Sequence, residues 1–204
     1  MIRNVIFDVG NVFVRWSPSE VTRRCFNLAP ESDENRQRAE AVFRSPIWIR
    51  LNLGEITQVE AEAAYQAQLG LTKDETANLF FHVLDHQDLI DGTETIAQQL
   101  KQAGYRLFGL TDNVHEIVAH LKARYQFWNL LEGVVVSAEV GLMKPHQEIF
   151  RHAMKMFSLI PSESVFLDDV QANVNGARSI GMEACLFTSP SRCEQDLRAL
   201  GLSF

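Results

Sequence analysis

The chain has 204 residues, with 19 Lys and Arg against 26 Asp and Glu, a formal net charge of −7, and 46% hydrophobic residues. The apolar share is that of a folded globular protein and argues against long disorder; the length allows one large domain, or one domain carrying an insertion. The acidic balance argues against a general nucleic-acid binder, which usually shows a basic stripe, but leaves room for one local anion site.

In chain order, the first apolar run is Val5–Phe7, which reads as a buried strand. From residue 16 to 89 no good strand follows. Helix-like segments fall around Ser19–Leu28, Glu34–Trp48, Gln58–Leu69 and Asp74–Leu84, with Pro30, Pro46, Gly54 and Gly70 as punctuation. Thr93 to Ala103 then places Ile96, Ala97 and Leu100 on one helical face, and Gly104 is a natural stop. Leu107–Leu110 and Val134–Val136 are the next strands. Pro145 is expected to open a helix with Ile149, Ala153, Met156 and Phe157 on one face, and Met154 and Met156 are expected as core filler. Val165–Leu167 and Ala184–Phe187 complete five strands, all apolar on both faces.

Strands of that kind suit a parallel sheet covered by helices, and their alternation with helices predicts right-handed crossovers. The expected fold class is therefore α/β, a doubly wound parallel sheet. Its core spans residues 1–15 and 90–204, and a helical insertion at residues 16–89 forms a cap after the first strand. Cys25, Cys185 and Cys193 are odd in number and lack CxxC or zinc-like spacing, so a cytoplasmic location is expected. No apolar run approaches the roughly 20 residues of a membrane span, and the N-terminal stretch meets Asp8 too early for a signal peptide. No membrane or nucleic-acid partner is expected, and the sequence leaves monomer and dimer open.

Ligands of open parallel sheets bind outside the carboxyl ends of the strands. Here those ends carry Asp8, then Thr111-Asp112-Asn113, then Ser137, then Asp168-Asp169, with Gly141 and Lys144 just past the third strand. Acids at buried strand ends need a partner, which implies a cation. Asp8 and Asp169 are hard oxygen ligands suited to Mg²⁺. The Thr111 hydroxyl can donate to a phosphate oxygen, and Lys144 can neutralise both Asp8 and an incoming anion. A carboxylate beside a metal and a lysine is also a workable nucleophile for phosphoryl transfer.

Val5-Ile6-Phe7-Asp8-Val9-Gly10-Asn11-Val12, Leu110-Thr111-Asp112-Asn113, Gly141-Leu142-Met143-Lys144-Pro145 and Val165-Phe166-Leu167-Asp168-Asp169 resemble, in order, the four motifs of the haloacid dehalogenase-like hydrolases. The chain is most similar to the branch with a helical cap after the first motif. The resemblance implies that Asp8 takes the phosphoryl group. It implies Mg²⁺ held by Asp8, Asp169 with Asp168 beside it, and the Gly10 carbonyl. It also implies phosphate held by Thr111, Lys144 and the Asp112-Asn113 pair. The implied substrate is a small phosphorylated metabolite. Trp16 and Asn11, directly after the first motif, are candidates for the substrate pocket.

Two positions depart from the pattern. Most phosphatases of this superfamily carry a second Asp two residues after the nucleophile, as general acid and base, where this chain has Gly10. The form Asp-x-Gly-Asn-Val resembles a sub-branch that includes α-D-glucose 1-phosphate phosphatases. Asp112 stands where an Asn commonly follows the hydroxyl residue, and Asn113 is placed to supply the amide instead. Without a positioned acid, rates for poor leaving groups should fall by about 10²–10⁴-fold, favouring anomeric hydroxyls and acyl phosphates. Two other readings share the fold: a metal-independent 2-haloacid dehalogenase, and a catalytically weak regulatory or binding protein. Among the histidines, His82 and His86 have a metal-like i,i+4 spacing but read as a surface pair; His115 and His146 follow motif strands and are candidates to line the site, with an exposed first-turn position the favoured reading of His146. The cap aromatics Phe43, Trp48, Tyr65, Phe80 and Phe81 are expected to serve packing.

Overall fold

The computed structural model describes residues 1–204. Strand β1 (Asn4–Phe7) is followed by five helices: α1 (Pro18–Cys25), α2 (Asp33–Phe43), α3 (Pro46–Asn52), α4 (Gln58–Leu69) and α5 (Lys73–Asp85). Helix α6 (Thr93–Gln102) leads into β2 (Arg106–Thr111), and α7 (His115–Arg124) into β3 (Gly133–Val136). The short α8 (Ser137–Val140), then α9 (Gln147–Met156), β4 (Ser164–Asp168), α10 (Gln171–Arg178), β5 (Glu183–Leu186) and α11 (Pro190–Ala199) complete the chain. All five expected strands are present in one parallel sheet of order β3-β2-β1-β4-β5. Strand β1 is central, pairing Asn4–Phe7 with Arg106–Gly109 on one side and Ser164–Leu167 on the other. The order reverses at β1, so a crevice opens where β1, β2 and β4 end.

Alternate residues of each strand feed the two faces of the sheet. Ile6, Phe108, Leu110 and Phe166 pack with Ile149, Phe150, Ala153 and Met154 of α9 and Val174 and Ala177 of α10. Val5, Phe7, Leu107, Val165 and Leu167 belong to the opposite core, which runs on without a break into Val42, Phe43, Ile47, Leu51, Ala61 and Tyr65 of the helical segment. Each fully buried aromatic or aliphatic side chain contributes about 1.5–3 kcal/mol relative to exposure. No helix is long and apolar enough to cross a membrane.

Local signals explain where the helices between β1 and β2 begin. Ser17, Ser32 and Ser45 accept from the backbone N–H of Glu20, Asn35 and Trp48, and Thr57 and Thr72 form reciprocal capping boxes with Glu60 and Glu75. The single helix expected over Glu34–Trp48 is two helices. The Ser45 cap and Pro46 at the start of α3 end one and open the next, because proline lacks the N–H that a continuous helix would need. Gly54, just after α3, has φ +68 and lies so close to α8 that a Cβ would come 2.1 Å from the Ala138 carbonyl oxygen.

The expectation for the helix after Lys144 is corrected. Pro145 precedes the helix instead of opening it: His146 is the N-cap and α9 starts at Gln147. The buried face is Ile149, Phe150, Ala153 and Met154, while Met156 is 57% exposed. Met154 is core; Met156 is not.

Candidate active site

Strand β1 delivers Asp8 to the crevice, its backbone N–H donating 2.8 Å to the Leu167 carbonyl of β4. The chain then curls back. Asn11, at φ +51, donates from its backbone to the Val14 carbonyl at 2.7 Å, and its side-chain oxygen accepts from the Trp16 N–H at 2.9 Å. The Asn11 amide also donates to Asp169 Oδ2 at 3.0 Å. One side chain therefore ties the turn, Trp16 and the end of β4 together.

Lys144 is buried, and its Nζ lies 2.9 Å from Asp8 Oδ2, 2.7 Å from Asp168 Oδ2 and 3.4 Å from the Leu110 carbonyl. Asp168 is fully buried; Oδ1 accepts from the Val170 N–H at 2.8 Å, and the Asn173 amide donates to both its oxygens at 3.0 and 3.1 Å. Asp112 accepts from the Lys144 N–H at 3.1 Å, so this extra acid holds the third-motif loop. Asn113 donates from its backbone to Ser137 Oγ at 2.9 Å, and Ser137 Oγ donates to the Asn52 carbonyl at 2.6 Å, joining the loop after β2 to α3.

Four carboxylates crowd one ammonium here, and their titration shows the imbalance. Burial pushes the Asp8 carboxyl up to about 8, with Asp168 adding to the rise and Lys144 opposing it. Burial also raises Asp112 and Asp169, with Lys144 lowering the first and Asn11 the second. Burial alone would pull Lys144 down, but Asp8, Asp168 and Asp112 hold it above the usual lysine range. The donor set fits a hard cation: oxygen atoms of Asp8, Asp168 and Asp169 lie within 4.8 Å of one another, and the negative charge exceeds what Lys144 offsets.

Asp8, Gly10, Asn11, Trp16, Thr111, Asp112, Asn113, Lys144 and Asp169 line one cavity of about 280 Å³. Asp168 does not reach it. Neither does His115 or His146; both are exposed. His82 and His86 are half-buried, not a surface pair, and His86 Nε2 lies 3.5 Å from Glu20 Oε1. No third ligand joins them, since the acid cluster above is the one grouping of metal-ligating side chains. Asn173 is legible in the sequence as the start of the tail of the fourth motif, but its role, lining the cavity and donating to Asp168 from the first turn of α10, is not. Sequence reasoning gave Phe43 and Trp48 to packing alone, whereas both line the cavity with Ile49, Asn52 and Gln87. No motif marks those five.

The model of the haloacid dehalogenase-like hydrolase family matches residues 2–181. The chain is 24% identical, over 96% of its length and 94% of the relative's, to the sesquiterpene phosphatase astK of Aspergillus oryzae. It is 27% identical to the drimenol cyclase drtB of Aspergillus calidoustus, over 97% of this chain but 36% of that much longer protein. Among solved structures, a HAD family enzyme of Bacteroides thetaiotaomicron in complex with magnesium and inorganic phosphate superposes with TM-score 0.77 at 18% identity, covering 93% of this chain and 96% of that one. The L-2-haloacid dehalogenase of Xanthobacter autotrophicus gives TM-score 0.67 at 16% identity, covering 98% and 83%. With its four motifs gathered at one sheet edge and the family model spanning nearly all of it, the chain belongs to the haloacid dehalogenase-like hydrolases.

Proposed function

We propose that this enzyme is a Mg²⁺-dependent phosphatase that hydrolyses a small phosphorylated metabolite through an aspartyl-phosphate on Asp8. The observation carrying this reading is the Asp8 carboxylate, at the end of the central strand, opening onto a cavity shared with Thr111, Lys144 and Asp169. Asp8, Asp169 and, by the family resemblance, the Gly10 carbonyl would hold Mg²⁺, with Asp168 acting through Lys144. When bound, the ion supplies charge neutralisation for the phosphate oxygens.

An Asp8 oxygen attacks phosphorus, the P–O bond to the leaving group breaks, and the leaving oxygen departs with the bonding pair. Water then attacks the same phosphorus, releasing inorganic phosphate and restoring Asp8. Lys144 offsets charge during both steps, and Thr111 and Asn113 are placed to donate to phosphate oxygens. Residues 16–89 act as the cap that selects the leaving group and excludes water during the first step. Gly10 provides no proton donor, which favours leaving groups that depart with little protonation. The relative named as a sesquiterpene phosphatase supports the reaction class. The three cysteines are unpaired, and burial raises each thiol, to about 11 for Cys25 and Cys185 and about 12 for Cys193, so none is an activated nucleophile.

Acetyl phosphate hydrolysis by the purified chain, lost on adding EDTA and regained with Mg²⁺, is the expected behaviour. Asp8→Asn is expected to abolish turnover. Full activity in that variant would eliminate the covalent route, and turnover of 2-haloacids in EDTA would favour dehalogenation instead.

A further inference from the structure

The cap side of the cavity is built from aromatic and aliphatic surface. The Trp16 and Trp48 rings are nearly parallel, 6° apart with centroids at 5.9 Å, and both are partly exposed. Phe43 is buried and meets each of them edge-on, at 5.3 and 4.9 Å, which fixes the pair in place. At the rim, Ile49 and Val170 are 43% and 45% exposed although both are large aliphatic side chains. The charged side chains lining the cavity are Asp8, Asp112, Lys144 and Asp169, all from the α/β core. The helical segment adds two buried amides, each with one N–H already committed: Asn52 Nδ2 donates to the Trp48 carbonyl at 2.9 Å, and Gln87 Nε2 to the Val83 carbonyl at 3.0 Å.

Resting on the phosphatase reading, we propose that Trp16, Trp48 and Ile49 form a specificity wall for an uncharged, hydrocarbon-faced leaving group. A carboxylate or ammonium on the leaving group finds no counter-charge on this wall and loses hydration on entering, so acidic and zwitterionic phosphomonoesters are rejected. A polyol finds only the second N–H and the oxygen of two amides there, too few for its several hydroxyls. A flat or aliphatic group covers the indole faces and displaces water from them. Trp48 and Ile49 are specificity-determining; neither touches the phosphate-side residues in the proposed chemistry.

The test uses phosphonates, which bind without being hydrolysed, as competitive inhibitors of acetyl phosphate turnover with Mg²⁺ present. From methyl- to hexylphosphonate the affinity is expected to rise about fourfold for each methylene buried. Hexylphosphonate should bind tighter than glucose 1-phosphate, and butylphosphonate tighter than 3-phosphonopropionate. Trp48→Ala should shrink the hexyl-to-methyl affinity ratio by tenfold or more. Because Ile49 is half-exposed and outside the buried core, Ile49→Lys is the second variant, expected to narrow or reverse the discrimination against 3-phosphonopropionate. A flat alkyl series, or glucose 1-phosphate binding tighter than hexylphosphonate, overturns the apolar wall while leaving the phosphatase reading standing. Failure of every phosphonate to bind, with no acetyl phosphate turnover, overturns both.

Discussion

Gly10→Asp is the most informative single change, because it restores the carboxyl that most phosphatases of the superfamily carry two residues after the nucleophile. The backbone accepts it. Gly10 does not use a positive φ, and a Cβ built there meets one neighbour, Trp16 Cβ, at an ordinary 3.7 Å. Gly10 lines the same cavity as Asp8, two residues along the chain, so the new carboxyl is expected to enter that cavity. Repulsion from a carboxylate at 4–5 Å is worth roughly 3–4 kcal/mol at an effective dielectric of 20. That pushes the new group's titration toward neutrality and keeps it in the form a proton donor requires. A positioned acid contributes about 10²–10⁴-fold, or roughly 3–5 kcal/mol, when the leaving group is a poor one. Comparing kcat/KM for ethyl phosphate and acetyl phosphate isolates this effect, since ethoxide needs the proton and acetate does not. The ratio of ethyl to acetyl turnover is expected to rise by at least 10²-fold in Gly10→Asp. If the two substrates change in parallel, the missing carboxyl does not govern leaving-group choice and the reasoning from Gly10 fails.

Lys144→Ala leaves Asp8 and Asp168 buried without their cation, and should cost about 3–5 kcal/mol of stability as well as activity, read by urea unfolding in EDTA. Gly176→Ala drives a Cβ to 2.8 Å from the Phe150 ring and into the Pro145 carbonyl oxygen, so a loss of about 2 kcal/mol or more is expected; an unshifted melting temperature would show that the third-motif loop yields freely. For pH, the sign follows from Asp8. Its folded value of about 8 lies above the ordinary 3.8, so the folded state holds the extra proton between those limits. Asp112 and Asp169 shift the same way, and the lowered Glu20, Glu60 and Glu75 act only below about pH 4.5. His82, lowered by burial, opposes this only below its ordinary 6.5, so in EDTA the melting temperature should fall from pH 6.5 to pH 8, and Mg²⁺ should flatten that slope; a rise would contradict the crowded-acid picture.

The strands and the strand-end acids were readable because buried parallel strands leave continuous apolar runs, and polar residues stop them abruptly. Helix phase was harder. Ile149 and Ala153 are common to both readings, but the buried stripe of α9 lies on the Phe150 and Met154 side of that line, and Met156 falls on the other side, exposed. The roles of the acids were legible as a group but not individually. Nothing in the letters Asp168-Asp169 says that the first is surrounded by Lys144, Asn173 and the Val170 N–H while the second meets the cavity. Likewise, Asp112 as holder of the Lys144 backbone depends on how the ends of two strands approach. Trp48 was invisible as a pocket residue because its position follows from the Ser45–Pro46 helix break and the packing of α3 on α8.

That packing carries an implication for how such enzymes diversify. The link from the core to α3 ends on the main-chain carbonyl of Asn52, which accepts from Ser137 Oγ, and beside it on Gly54, which has no side chain at all. A backbone acceptor cannot be lost by point substitution. The residues of α3 that face the substrate can therefore drift through many chemistries while the helix stays seated on α8, so new specificities are reachable one mutation at a time without rebuilding the joint between the two halves of the molecule.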